Sequence, residues 1–125
     1  MESISPNIFV ENIAETIKFY EHLEFKLTMK VPDEGDLVWA MMTNGNVSFM
    51  FQTFESLGDD LPEISRQDGG SLSLYIQIKE IRKFHNRIKD EVNILKGLEK
   101  TFYGAREFSI QDINGYVLTF AESEE

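Results

Sequence analysis

Short β-prone runs fill most of this chain, and an apolar repeat of helical spacing interrupts them twice. Ser5 to Val10 alternates and predicts a first strand. Asn12, with Glu15 three residues on, has the form of a helix N-cap and capping box. The helix it opens is expected to reach about Leu23, with Ile13, Ile17 and Tyr20 on one face. Phe25 to Val31 predicts a second strand and Pro32 to Asp36 a turn. Leu37 to Thr43 predicts a third strand. Asn44-Gly45 predicts a tight turn, and Val47 to Phe54 a fourth strand. Ser56 to Gly70 carries Gly, Asp, Pro and Ser with little periodicity, so a linker or flap is expected there.

The order then restarts. Ser71 to Ile78 predicts a strand, and Glu80 to about Val92 a helix with Ile81, Phe84, Ile88 and Val92 on one face. A strand follows within Ile94 to Phe102. Arg106 to Gln111 and Tyr116 to Ala121 predict a closing hairpin, its Asn114-Gly115 turn built from two residues that tolerate positive φ. Ile8 to Ile13 and Ile76 to Ile81 share an apolar pattern at an offset of 68 residues. Asn44-Gly45-Asn46-Val47 and Asn114-Gly115-Tyr116-Val117 echo each other at an offset of 70. Each half is thus strand-helix-strand-strand-strand, which fits an internal duplication. A sheet covered by a single helix leaves one face bare, and pairing two such sheets is expected to enclose a cleft suited to a small ligand.

With 125 residues, 42% of them hydrophobic, the chain is expected to fold as one globular domain. The absence of cysteine excludes disulfides, thiolate zinc sites and a cysteine nucleophile. A formal net charge of −10 opposes binding to nucleic acid or anionic lipid. No signal-like start or membrane-length apolar run is apparent, so a cytoplasmic location is expected. The acidic end (Glu122, Glu124, Glu125) is expected to be solvated.

Particular residues carry a family resemblance. Ile8 to Ile13, Ile17-Lys18-Phe19-Tyr20 and Leu23-Glu24-Phe25 resemble the opening strand, "FY" helix and "L-G-F" helix end of the glyoxalase / bleomycin resistance / extradiol dioxygenase (vicinal oxygen chelate) superfamily. Glu24 stands where the family usually has glycine. Arg106-Glu107-Phe108 and Asp112-Ile113-Asn114-Gly115-Tyr116 resemble its "R-x-F" and "D-P-x-G-Y" elements, with Ile113 for the proline. The resemblance spans about residues 4 to 122. It implies an α+β fold in which two βαβββ modules, 4–55 and 71–122 with a linker at 56–70, pair into a cupped eight-stranded mixed sheet.

Metal-using members carry His, Gln or Glu on the first and last strand of each module, including a carboxylate four residues after the final turn glycine. The corresponding positions here are Ser5, Met50, Ser73 and Thr119. Neutral hydroxyls and a thioether are poor ligands for zinc, iron, manganese or magnesium, so neither a metal, a cofactor nor a catalytic residue is expected. His22 and His85 fall on the predicted helices, away from the cleft. Strand parity instead points Asn7, Phe9, Ser48, Gln52, Tyr75, Gln77 and Val117 toward the cleft. The candidate ligand-binding set is Ser5, Asn7, Phe9, Trp39, Met50, Gln52, Ser73, Tyr75, Glu107 and Thr119.

Aromatic walls with a few amides and hydroxyls suit a planar or amphipathic organic molecule. The expected function is therefore metal-free binding of such a molecule, as in the bleomycin-resistance branch, by a homodimer without nucleic-acid or membrane partners. The alternatives are a glyoxalase- or lyase-type metalloenzyme and an interaction module without a small ligand.

Overall fold

The computed structural model of the chain describes residues 1–64 and 70–123. Residues 65–69 of the expected linker, with Gly69, and the terminal Glu124 and Glu125 lie outside the described residues. The chain divides into two compact units, Met1–Ser65 and Arg66–Glu125.

The first unit contains β1 (Asn7–Val10), α1 (Ile13–His22), β2 (Lys26–Val31), β3 (Trp39–Asn44), β4 (Val47–Thr53) and a one-turn helix, α2 (Phe54–Leu57). Its sheet has the order β1-β4-β3-β2, with β1 parallel to β4 and the other pairs antiparallel. Asn12 caps α1, its side-chain oxygen accepting from the Glu15 amide at 3.0 Å. The helix ends in a Schellman motif. The Phe25 amide donates to the Tyr20 carbonyl and the Glu24 amide to that of Glu21, each at 3.0 Å. Glu24 takes φ +71°, the left-handed conformation that usually selects glycine. α1 lays Tyr20 onto Phe51 and Phe49, with ring centroids 4.8 and 5.7 Å away. Tyr20, Phe51, Met42 and Ala40 are fully buried. A phenylalanine so placed contributes about 1.5–3 kcal/mol of burial free energy.

The second unit contains β5 (Ser73–Gln77), α3 (Ile81–Ile88), β6 (Asn93–Lys100), β7 (Ala105–Gln111) and β8 (Val117–Ser123). Its sheet order, β5-β8-β7-β6, repeats that of the first, with β5 parallel to β8. α3 packs Phe84 against Phe120, centroids 4.9 Å apart, and Phe108 stacks on Phe120 at 5.3 Å. The class is thus α+β, with two βαβββ modules in tandem.

Several local expectations need correction. α3 stops at Ile88 rather than near Val92, because the Glu91 amide turns back onto the Ile88 carbonyl at 2.8 Å. The expected linker begins with α2, whose first turn is capped by the Thr53 hydroxyl accepting from the Ser56 amide at 3.1 Å. In the β3–β4 hairpin, Asn44 pairs with Val47, so the turn residues are Gly45 and Asn46, and only Gly45 has positive φ. The β7–β8 loop runs from Asp112 to Tyr116. Asp112 accepts there from the amides of Asn114 (2.9 Å) and Tyr116 (2.8 Å), so Gly115 alone needs positive φ. Glu122 is not merely a solvated end, since its carboxylate accepts from the amides of Glu80 (2.9 Å) and Ile81 (3.1 Å) at the start of α3. Among the described residues, no helix is long and apolar enough to cross a membrane.

Candidate functional site

Each sheet has a face covered by its helix and a face free of it. Strand alternation fixes which residues lie on the free face, and pairing register aligns them in rows. In the first unit one row reads Asn7–Met50–Met41–Met29 and the next Phe9–Gln52–Trp39–Val31. In the second unit the rows are Tyr75–Thr119–Ser109–Lys96 and Gln77–Ala121–Glu107–Glu99.

The register places Met50 opposite Asn7 and Thr119 opposite Tyr75, so these pairs correspond. The modules are therefore offset by 68 residues at the first strand and 69 at the last. Counted between the matched pairs Met41–Met50 and Ser109–Thr119, the second hairpin is one residue longer.

The first free face is apolar and rich in sulfur. Met41, Met50 and Trp39 are half-buried, Met29 is exposed, and Phe9 is buried against Phe54 at a centroid distance of 6.1 Å. A single amide chain crosses it. The Asn7 amide donates to the Gln52 oxygen at 3.0 Å, and the Gln52 amide donates to the Ser56 hydroxyl at 3.2 Å. Such a surface offers dispersion and stacking with two fixed polar handles.

The second free face is polar. Thr119 sits at the centre of a hydroxyl cluster, 2.8 Å from the Ser109 hydroxyl and 3.3 Å from that of Ser73. Beside it, Tyr75 and Tyr103 both donate to one oxygen of Glu107, Tyr103 at 2.5 Å. The bond to Glu107 favours the neutral phenol and pushes the Tyr75 pKa up to about 12; the same bond raises that of Tyr103. Lys96 binds Glu99 at 2.8 Å, and that pairing, reinforced by the charge of Glu107, raises the lysine's pKa.

Of the sequence candidates, Asn7, Phe9, Trp39, Met50 and Gln52 come together on the first free face. Ser73, Tyr75, Glu107 and Thr119 come together on the second. Ser5 does not join its group; it lies exposed in the segment before β1. Sequence reasoning missed Met29, Ser109, Lys96 and Tyr103. The only sequence signal for Tyr103 is its place four residues before Glu107 in a segment that turns back on itself, with the Thr101 amide bonded to the Ala105 carbonyl at 2.7 Å.

The residues at the family's metal positions do not fit a divalent cation. The Ser73 and Thr119 hydroxyls are engaged with each other, and Met50 supplies only a thioether. Among the described residues, no three His, Cys, Asp or Glu side chains gather into a possible metal site. Neither histidine supplies a ligand on a free face. His22 is exposed at the end of α1, and His85 packs its ring on Phe108 at 4.9 Å on the helix side, its buried Nδ1 without a partner among the described residues.

The sequence model of the Glyoxalase/Bleomycin resistance protein/Dioxygenase superfamily matches residues 4–120. No functionally curated protein matches the chain in sequence. Among solved structures, the chain resembles TioX from Micromonospora sp. ML1 with a TM-score of 0.79 at 14% identity, over 98% of this chain and 99% of that one. It resembles a bleomycin resistance determinant encoded on the transposon Tn5 with a TM-score of 0.74 at 16% identity, over 100% of both chains. A bleomycin-binding protein complexed with bleomycin aligns with a TM-score of 0.69 at 20% identity, over 99% of this chain and 100% of that one. At these identities the likeness is one of fold.

Proposed function

Since the chain belongs to the glyoxalase/bleomycin resistance protein/dioxygenase superfamily, we propose that it binds a small planar or aromatic organic molecule without a metal. The carrying observation is the first free face, where Trp39, Met41, Met50 and Phe9 surround the Asn7–Gln52 amide pair. Methionine thioethers adapt to irregular ring systems, and indole offers a flat stacking partner. The amide pair supplies direction. A structural relative seen in complex with bleomycin supports this class of ligand. The poor donor set at Met50, Ser73 and Thr119 supports metal-free binding over the family's metal-dependent chemistry.

Trp39 is the only tryptophan, so its fluorescence reports this face alone. Bleomycin and a panel of planar aromatic compounds are titrated while Trp39 emission and the Tm are followed. A ligand present at about a hundred times its Kd should stabilise the fold by about 2.7 kcal/mol. It should also change Trp39 emission. A panel that moves neither quantity sinks the proposal.

A further inference from the structure

We propose that the carboxylate of Glu107, flanked by the rings of Tyr75 and Tyr103, is a site for an organic cation on the second free face. The proposal rests on the small-molecule reading above and extends it to the second free face, for ring systems that bear a positive charge.

Three observations carry it. First, the Glu107 charge is hydrogen-bonded but not neutralised. Both partners are phenols that donate to the same oxygen, and the other oxygen accepts no hydrogen bond among the described residues. Neutral donors stabilise a carboxylate without cancelling its field. Second, the adjacent cation is already committed. Lys96 holds Glu99 at 2.8 Å, so Lys96, Glu99 and Glu107 together leave one net negative charge. Third, the two tyrosines are exposed, at 51% for Tyr75 and 56% for Tyr103, while their hydroxyls are held inward on Glu107. Tyr75 and Tyr103 therefore keep about half their surface open to a ligand, with Phe102 edge-on to the Tyr103 ring at 5.0 Å. A carboxylate bracketed by aromatic rings favours ammonium, guanidinium or a ring-borne cation through charge and cation–π attraction together. One carboxylate with two phenols is too few anionic oxygens for a divalent ion. The Thr119 and Ser109 hydroxyls lie next to this site in the adjoining row, and Ser73, one row further, bonds Thr119.

The test compares two probes of the same ring size, N-methylacridinium and acridine, by calorimetric titration of the whole chain at mildly alkaline pH, where acridine is neutral. The protein should bind the cation about tenfold more tightly than the neutral ring. That preference should shrink as salt is raised. In Glu107→Gln, which keeps an oxygen for the tyrosines, the ratio of the two affinities should fall to about one. Equal affinities in the unaltered protein would overturn the cation subsite while leaving the small-molecule reading intact. A preference that survives undiminished in Glu107→Gln would overturn the assignment to Glu107. If neither ring binds, the cation site falls, and the titration followed by Trp39 emission decides the small-molecule reading separately.

Discussion

Trp39 and Glu107 occupy the same place in their two modules. Each sits on the third strand of its sheet, on the face away from the helix. Trp39 lies in a row behind Phe9 and Gln52, and Glu107 behind Gln77 and Ala121. One row further, Met50 and Met41 answer to Thr119 and Ser109. The helix sides behave differently. There Ile8 and Phe51 answer to Ile76 and Phe120, apolar against apolar, and all four are buried. Packing has kept one face of the duplicated module similar, while the other face has become oily in one copy and polar in the other. A core position accepts few side chains because it must fill a fixed volume. Half-buried positions of the free faces, such as Met41 and Glu107, are less constrained and can diverge.

The largest test of that contrast is on the helix sides. Phe51→Ala and Phe120→Ala should each cost about 3–5 kcal/mol, because both create cavities under a packed helix. The two losses should agree within about 1 kcal/mol in urea denaturation, given the scatter of such substitutions. A loss in one unit twice that in the other would mean that the helix sides are not equivalent. Met41→Ser, which installs the residue of the other module, should change stability far less, since Met41 is only half-buried.

The helix sides were also the part most legible in the sequence. Ile13, Ile17 and Tyr20 at helical spacing, and the alternation through Phe49 and Phe51, are period signals set by burial itself. The free faces were legible only where a strand is regular. Parity placed Asn7, Gln52, Tyr75 and Gln77 correctly. It cannot place Met29, because a bulge at Thr28 lets Leu27 align with Met42 on the helix side and Met29 with Met41 on the free side. The same irregularity recurs between Ile94 and Lys96, so the duplication preserved even the bulge. Tyr103 escaped for another reason: its bond to Glu107 depends on how the loop before β7 folds back, which neither periodicity nor propensity encodes. Ser5 was misplaced because its strand begins two residues later than the alternation implied.

The start of each helix gives the next comparison. Asn12 and Glu80 are matched positions, yet Asn12 is extended and caps α1 with its own side chain. Glu80 is left-handed, with no side-chain cap. The cap of α3 comes instead from Glu122, at the far end of the sequence. Asn12→Ala should therefore cost about 1 kcal/mol, and up to about 2, at any pH where the protein is folded. Glu122→Gln should cost less, and its cost should depend on pH. The two backbone amides bonded to Glu122 lower its pKa in the folded protein. Its contribution is thus present above the unfolded carboxylate range and disappears as pH falls through the lowered folded value. Thermal melts of the two variants across the acid range check this. A pH-independent deficit in Glu122→Gln would deny it a charged capping role.

The smallest expected effect is a gain. α1 ends in a full Schellman arrangement: two reversed backbone bonds, the ring of Phe25 edge-on to Tyr20 at 5.6 Å, and a left-handed residue between them. That residue is Glu24, at φ +71°. Its carbonyl is fixed by the Asn44 amide at 3.0 Å, a bond that any side chain at position 24 would leave in place. A side chain in this conformation costs about 1–2 kcal/mol, and glycine escapes that cost. Glycine also gives the unfolded chain more freedom, which takes back about 0.5–1 kcal/mol. Glu24→Gly should then raise stability by about 0.5–1 kcal/mol. Glu80, the left-handed residue of the second module, provides the control, because its amide already donates to Glu122 and glycine would keep that bond. Similar gains at both sites in denaturant titrations would mean that backbone strain alone is relieved. A loss at Glu24 beside a gain at Glu80 would mean that the Glu24 side chain itself holds the helix end.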